Sequence, residues 1–147
     1  MTLAAILYAS MSGNNEEVAD IVEKYLEEEN IEVKKEEADD VDVHFFDDAD
    51  ICIVHSYTYT DGEIPNELEE MYDGLAETDF QGKIFGIAGA GDSNYDTFCH
   101  AVELLDEAFA KTGAVRGADM VKIDDKPEPS DEEALLAFVK SLAAKVN

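Results

Sequence analysis

Leu3-Ala4-Ala5-Ile6-Leu7-Tyr8-Ala9-Ser10-Met11-Ser12-Gly13-Asn14-Asn15-Glu16 passes from a continuously apolar run into a turn of hydroxyl and amide side chains, and then into a helical pattern. A strand, a tight turn and a helix in that order make a pocket for a phosphate monoester. The first N–H groups of a helix have no intrahelical partner, and the helix dipole favours an anion there. Ser10, Ser12, Asn14 and Asn15 add side-chain donors around Met11, and Gly13 lets the backbone come close or take a positive φ. No lysine or arginine occurs before Lys24, so a phosphate bound here is held by neutral donors.

Outward from this stretch, strand and helix patterns alternate. Apolar, β-rich runs occur at Leu3–Tyr8, near Ile31–Val33, at Ile51–His55, at Ile84–Ala88 and at Met120–Ile123. The runs at 51–55 and 84–88 have the continuous apolarity of central parallel strands covered on both faces. The segment Ile31–Glu37 is more polar and reads as an edge strand. Val18, Ile21, Val22, Tyr25 and Leu26 are spaced for one helix face after Asn14 or Asn15 as cap. Pro65 opens a second helix carrying Leu68, Met71, Tyr72 and Leu75. Val102, Leu105 and Phe109 mark a third, stopped by Gly113. Ser130 and Glu133 form a capping-box pattern before Leu135, Phe138, Val139 and Leu142. The stretch Val41–Asp48 is short and ambiguous. Five strands joined by crossovers imply one α/β domain over residues 1–147, with a doubly wound parallel sheet and helices on both faces. Ligands of such sheets bind outside the carboxyl ends of the strands, where strand order reverses.

Two further turns therefore matter. The turn after Ile51–His55 reads Ser56-Tyr57-Thr58-Tyr59-Thr60-Asp61-Gly62. Aromatic loop residues are costly unless something flat covers them. Tyr57 reads as packing on the next helix, and Tyr59 as a ligand contact. The turn after Ile84–Ala88 reads Gly89-Ala90-Gly91-Asp92-Ser93-Asn94-Tyr95, with Phe98-Cys99 close behind. Its glycines let the main chain lie against a ligand, Asp92 and Asn94 supply polar groups, and Tyr95 is either a second ring contact or a helix-entry staple. Together the three turns suit a flat aromatic ring joined to a phosphate tail. His44 and His100 read as surface residues, and His55 as a satisfied structural histidine.

Composition narrows the function classes. Thirty-six acids against ten bases give a formal charge of −26 in 147 residues. That surface repels nucleic acid and anionic membranes and attracts basic protein faces; it is also what adaptation to high salt would produce. Cys52 and Cys99 lack a CxxC context and read as buried free thiols, which with the absence of a membrane-length apolar run leads us to expect a cytoplasmic protein. No turn carries a nucleophile–base pair or a metal-ligand cluster.

In the residues of its three turns the sequence resembles a short-chain flavodoxin over essentially its whole length. The resemblance implies strand order 2-1-3-4-5, bound FMN, and one-electron transfer between a reductase and acceptor enzymes by a monomer that docks transiently on their basic faces. Carried over by position, Ser10, Met11, Ser12, Gly13, Asn14 and Asn15 hold the phosphate. Tyr95 covers the outer face of the flavin and Tyr59 flanks the inner one. Backbone groups of Thr60 and Asp61 meet the N5 edge, and Ala90, Gly91 and Asp92 approach the pyrimidine edge. Ser56, Tyr57, Thr58, Gly62, Asn94, Phe98 and Cys99 complete the implied cofactor site. Ser12 and Asn15 stand where the family usually has threonine. Thr60 stands where glycine is common; in the family that peptide flips on reduction, and a β-branched residue resists the flip at about 1–2 kcal/mol. The resemblance therefore implies a more negative potential for the first electron. A phosphoacceptor receiver shares the strand order, but the strand ends Ala9-Ser10, His55-Ser56 and Asp124-Asp125 lack its acids and lysine. A flavodoxin-like FMN-dependent quinone reductase stays open as the alternative function, and an acidic module without cofactor leaves the loop tyrosines unexplained.

Overall fold

A computed structural model describes residues 2–39, 41–58 and 62–146. The elements follow the order β1 (Leu3–Ala9), α1 (Asn14–Glu28), β2 (Glu32–Glu37), β3 (Ile51–Ser56), α2 (Asn66–Leu75), β4 (Ile84–Gly91), α3 (His100–Ala110), β5 (Val115–Arg116), β6 (Val121–Asp124) and α4 (Pro129–Val146). The ambiguous 41–48 region forms a short 3-10 turn, Val43–Phe46, begun by the Asp42 side chain accepting the His44 N–H.

Every strand pair is parallel, and the order β2-β1-β3-β4-β5 matches the expected 2-1-3-4-5. The five-strand expectation needs one correction. The fifth position is filled by two short strands: β5 lies beside Ile84–Phe85 and β6 beside Ala88–Gly91. Between them Gly117 presses onto the sheet, where a Cβ would come within 2.3 Å of the Ile84 side chain. The chain thus leaves β4 after Arg116 and rejoins it at Val121.

Alternation along the central strands divides the core in two. Ala4, Ile6 and Tyr8 of β1 and Ile51 and Ile53 of β3 face α1 and α4, packing on Val18, Val22, Leu26, Phe138 and Leu142. Ala5 and Leu7, with Cys52, Val54, Phe85 and Ile87, face α2, α3 and the 3-10 turn through Phe46, Leu68, Met71, Leu105 and Phe109. Both faces of β1, β3 and β4 are therefore buried, whereas β2 at the edge is exposed or half-buried.

Helix starts depart from the expected caps. Helix α1 begins at Asn14 behind Gly13, which is left-handed at φ 91°, and no side chain caps it. Helix α4 begins at Pro129, so Ser130 lies inside it; the Glu128 N–H donates instead to the Asp131 carboxylate at 2.9 Å. Pro65 does precede α2, and Gly113 takes a positive φ of 91° after α3, as expected. The turn after β1 and the turn after β3 meet where the strand order reverses, and the end of β4 lies beside them.

Candidate functional site

The carboxyl ends of β1, β3, β4 and β6 converge on an open cleft of about 210 Å³. Its walls come from Met11, Ser12, Asn14 and Asn15 after β1, Tyr57 and Thr58 after β3, Ala90, Gly91 and Asp92 at the end of β4, and Asp125 after β6. No lysine or arginine is among these lining residues.

The turn after β1 is an anion cradle. The first intrahelical bond of α1 runs from the Glu17 N–H to the Gly13 carbonyl, so the N–H groups of Asn14, Asn15 and Glu16 lie ahead of the helical ladder. Gly13 is left-handed with nothing within 4 Å of where its Cβ would be. Its N–H donates to Ser10 Oγ at 3.0 Å, which closes the turn and leaves the Ser10 hydroxyl proton to donate elsewhere. Ser12 is exposed and Met11 is 78% exposed. A helix start of this length without a side-chain cap is what a phosphate completes, so the residues fit the FMN phosphate.

Two expected phosphate residues turn their side chains elsewhere. Asn15 is buried; its Nδ2 donates to the Ala90 carbonyl at 3.2 Å and its Oδ1 accepts the Ala90 N–H at 2.8 Å. Asn14 Nδ2 donates to the Asp125 carboxylate at 3.3 Å. In this arrangement both residues face the cradle through their backbone N–H groups.

After β3, the Tyr57 ring packs with the α2–α3 core and its hydroxyl donates to the Glu67 carboxylate at about 3 Å, as the helix-packing reading expected. Ser56 is buried, and its hydroxyl donates to the Tyr57 carbonyl. Thr58 Oγ1 accepts the Ala101 N–H at 3.0 Å and so caps α3 from a neighbouring loop. This matters because Cys99, preceding α3, is left-handed at φ 54° and supplies no side-chain cap. Gly62 has φ 88°, and its carbonyl accepts His100 Nδ1–H at 2.9 Å. His100 is thus half-buried against this loop, correcting the expectation of a plain surface residue. Tyr59, Thr60 and Asp61 lie outside the described residues, and so do the roles assigned to them.

The third turn is shorter than expected, because β4 continues through Gly89, Ala90 and Gly91. Gly89 is obligatory: a Cβ there would stand 2.3 Å from the Ser56 carbonyl oxygen. Asp92 then accepts the Asn94 N–H at 2.9 Å, and the Tyr95 N–H donates to the Asp92 carbonyl, making a tight turn. Tyr95 at its tip is 49% exposed, free to cover a ring. Phe98 and Cys99 support the turn from the core side. The Cys99 thiol is buried and donates to the Gly89 carbonyl at 3.5 Å, and burial pushes its pKa up to about 11.

Sequence reasoning missed Asp124 and Asp125. Asp124 accepts both the N–H and the hydroxyl of Ser93, which holds its carboxyl below the usual range. The Asp125 N–H donates to the Gly91 carbonyl at 2.7 Å. The signal was available: Asp124 ends the last strand and Asp125 follows it, and the strand-end rule applies there as well.

His55 is only half satisfied. Its Nδ1–H donates to the Ala88 carbonyl at 3.0 Å, while the buried Nε2 finds no partner among the described residues. Burial pushes its pKa down to about 4, so it is neutral. Both cysteines are free and buried, and no group of metal-ligating side chains occurs among the described residues. No described helix is long and apolar enough to cross a membrane.

Comparison with known proteins agrees with this geometry. The flavodoxin family model matches residues 6–138. Probable flavodoxin 2 of Bacillus subtilis (strain 168) is 38% identical over 146 residues, covering 99% of this chain and 97% of its own. The flavodoxin of Maridesulfovibrio salexigens is 33% identical over 151 residues, covering 99% of this chain and 100% of its own. Among solved structures, a short-chain flavodoxin associated with a non-canonical PDU bacterial microcompartment superposes with a TM-score of 0.97 at 43% identity, all of both chains being covered. The Streptococcus pneumoniae TIGR4 flavodoxin gives 0.94 at 46% identity over 98% of this chain and 99% of that one. With an uncapped helix start at the cleft, a tyrosine-tipped loop and this fold over the described residues, the protein belongs to the flavodoxin family, the FMN-binding electron carriers.

Proposed function

We propose that the chain is a low-potential one-electron carrier that shuttles between a reductase and acceptor enzymes, meeting each as a monomer through a short-lived contact with a basic face. The observation that carries this reading is the cation-free cleft whose floor is an uncapped helix start and whose rim is acidic. When bound, FMN supplies reversible one-electron chemistry.

The chain's own residues bind, orient and bias. The N–H groups of Asn14, Asn15 and Glu16, with Ser10 and Ser12, would hold the phosphate. The main chain from Ala90 to Asp92, which lines the cleft, would hold the polar edge of the ring, and exposed Tyr95 would cover it. Asp92 and Asp125 line the cleft, and Glu63, Asp92 and Asp96 are exposed. Each carboxylate about 10 Å from a developing negative charge repels it by ~0.4 kcal/mol in water-like surroundings. Several together disfavour the fully reduced ring and make the carrier a stronger reductant. The same acids attract basic partner surfaces. Two buried free thiols suit a reducing, cytoplasmic setting.

A visible-spectrum redox titration of the purified protein tests the reading. One FMN per chain and a second-electron potential below that of free FMN support it. Steady turnover of a quinone with NAD(P)H and no reductase present overturns it in favour of a quinone reductase.

A further inference from the structure

The amide of Asn15 fills a vacant place in the sheet. Asp125 donates its N–H to the Gly91 carbonyl at 2.7 Å, so Gly91 faces the β6 side of β4. Successive strand residues turn their N–H and C=O groups to opposite edges, so Ala90 presents both groups to the β3 side. There β3 has already ended, its register reaching only His55 opposite Ala88. Asn15 Oδ1 takes the Ala90 N–H at 2.8 Å and Nδ2 donates to the Ala90 carbonyl at 3.2 Å, from a side chain only 2% exposed. A carboxamide carries a separate donor and acceptor, as a peptide group does, and it substitutes for the missing rung. A hydroxyl donates and accepts from one oxygen, which does not lie opposite both separated groups as the two amide atoms do.

We propose that Asn15 is a positioning residue, whose side chain fixes the strand end carrying the Tyr95 turn against the start of α1, and not a side-chain ligand of the phosphate. Oδ1 and one Nδ2 hydrogen are committed to Ala90, and turning this buried amide away toward a phosphate would leave both Ala90 groups without partners, an unfavourable exchange. Only the Asn15 backbone N–H then serves the phosphate. The side chain acts on the ring-binding half of the cleft, through Ala90, Gly91 and the turn that follows. This rests on the FMN-carrier reading, and its test is separable from that reading.

The experiment compares FMN with riboflavin, which lacks the phosphate, as ligands of the full chain stripped of cofactor. Flavin fluorescence quenching reads both dissociation constants. A change at a phosphate ligand alters FMN affinity alone, as Ser12→Ala is expected to do. Asn15→Ala is expected to weaken FMN and riboflavin together, each roughly tenfold. Asn15→Thr restores a hydroxyl beside the phosphate but not the rung. It is expected to weaken riboflavin as much as Asn15→Ala does and to speed amide hydrogen exchange at Ala90. It also serves if the alanine variant does not fold. Unchanged riboflavin affinity in either variant, with FMN affinity reduced, overturns the proposal. If the unaltered chain binds neither flavin, the carrier reading fails instead.

Discussion

Asp124, at the end of β6, accepts two hydrogen bonds from Ser93, one from the backbone N–H at 3.1 Å and one from the hydroxyl at 2.6 Å. Ser93 lies between Asp92 and Tyr95 in the turn proposed to cover the flavin, so the tilt of Tyr95 depends on a carboxylate that is not among the residues lining the cleft. Asp124→Ala is expected to weaken FMN severalfold, with riboflavin weakened alike, because the loss falls on the ring and not on the phosphate. Asp124→Asn keeps an oxygen for the Ser93 N–H and places an NH2 that can donate to the Ser93 hydroxyl oxygen, so it is expected to recover most of the affinity. Equilibrium titration of the variants checks both outcomes.

The lining of the cleft proposed to hold the phosphate has no lysine or arginine, and the chain carries a formal charge of −26. Cation-built phosphate sites weaken as salt screens them. Here the surrounding charge repels the phosphate, and salt relieves that repulsion. FMN affinity is therefore expected to hold or rise between low and moderate ionic strength, while riboflavin affinity changes less. A steep fall in FMN affinity with added salt would reveal a cationic contribution that the cleft does not show.

His55 gives the fold a built-in acid sensitivity. Its pKa is about 4 in the folded chain against 6.5 for the free side chain, because burial disfavours the charged form. Above pH 6.5 both states are neutral and the residue has no effect on stability through protons. Below it the unfolded chain takes up a proton that the folded chain refuses, so stability falls with pH until about 4. The slope is about 1.4 kcal/mol per pH unit within that window. Exposed His44, raised by Asp47, acts in the opposite direction, so the comparison must be with a His55 variant. Denaturant unfolding of His55→Gln at pH 7.5 and 5 is expected to show a smaller loss than the unaltered protein.

Far from the cleft, Arg116 clamps Asp106 through Nε and Nη2, at distances from 2.5 to 3.1 Å. The Asp106 side chain is only 7% exposed, while that of Arg116 is 46% exposed. Arg116→Met leaves a nearly buried carboxylate without its partner and is expected to cost about 2 kcal/mol. Asp106→Asn in the same background is expected to recover part of that. Neither change touches the cleft, so FMN affinity at 25 °C is expected to stay within error, and thermal melts read the rest.

Much of this was legible in the chain itself, for identifiable reasons. Leu3–Ala9 and Ile51–Ser56 are buried on both faces, and uninterrupted apolar runs signal that directly. Val115–Arg116 is two residues long, too short for any period, so the split fifth strand left no pattern. Glycine misled at 89–91, where it marks tight packing against Ser56 inside a strand and not the start of a loop. Composition named Asn15 as a donor but cannot say to whom: Ala90 lies 75 residues away, and only the folded sheet brings its open edge there. What Asp124 and Asp125 bond to was hidden for the same reason. Their partners, Ser93, Gly91 and Asn14, come from distant parts of the chain.

Titration of the cofactor-free protein with FMN, followed by flavin fluorescence and by calorimetry, bears most directly on the whole account. One equivalent bound per chain, with the fluorescence quenched and with riboflavin bound more weakly than FMN, is the predicted result. No uptake, or equal affinity for the two flavins, would contradict it, because the uncapped start of α1 would then hold no phosphate.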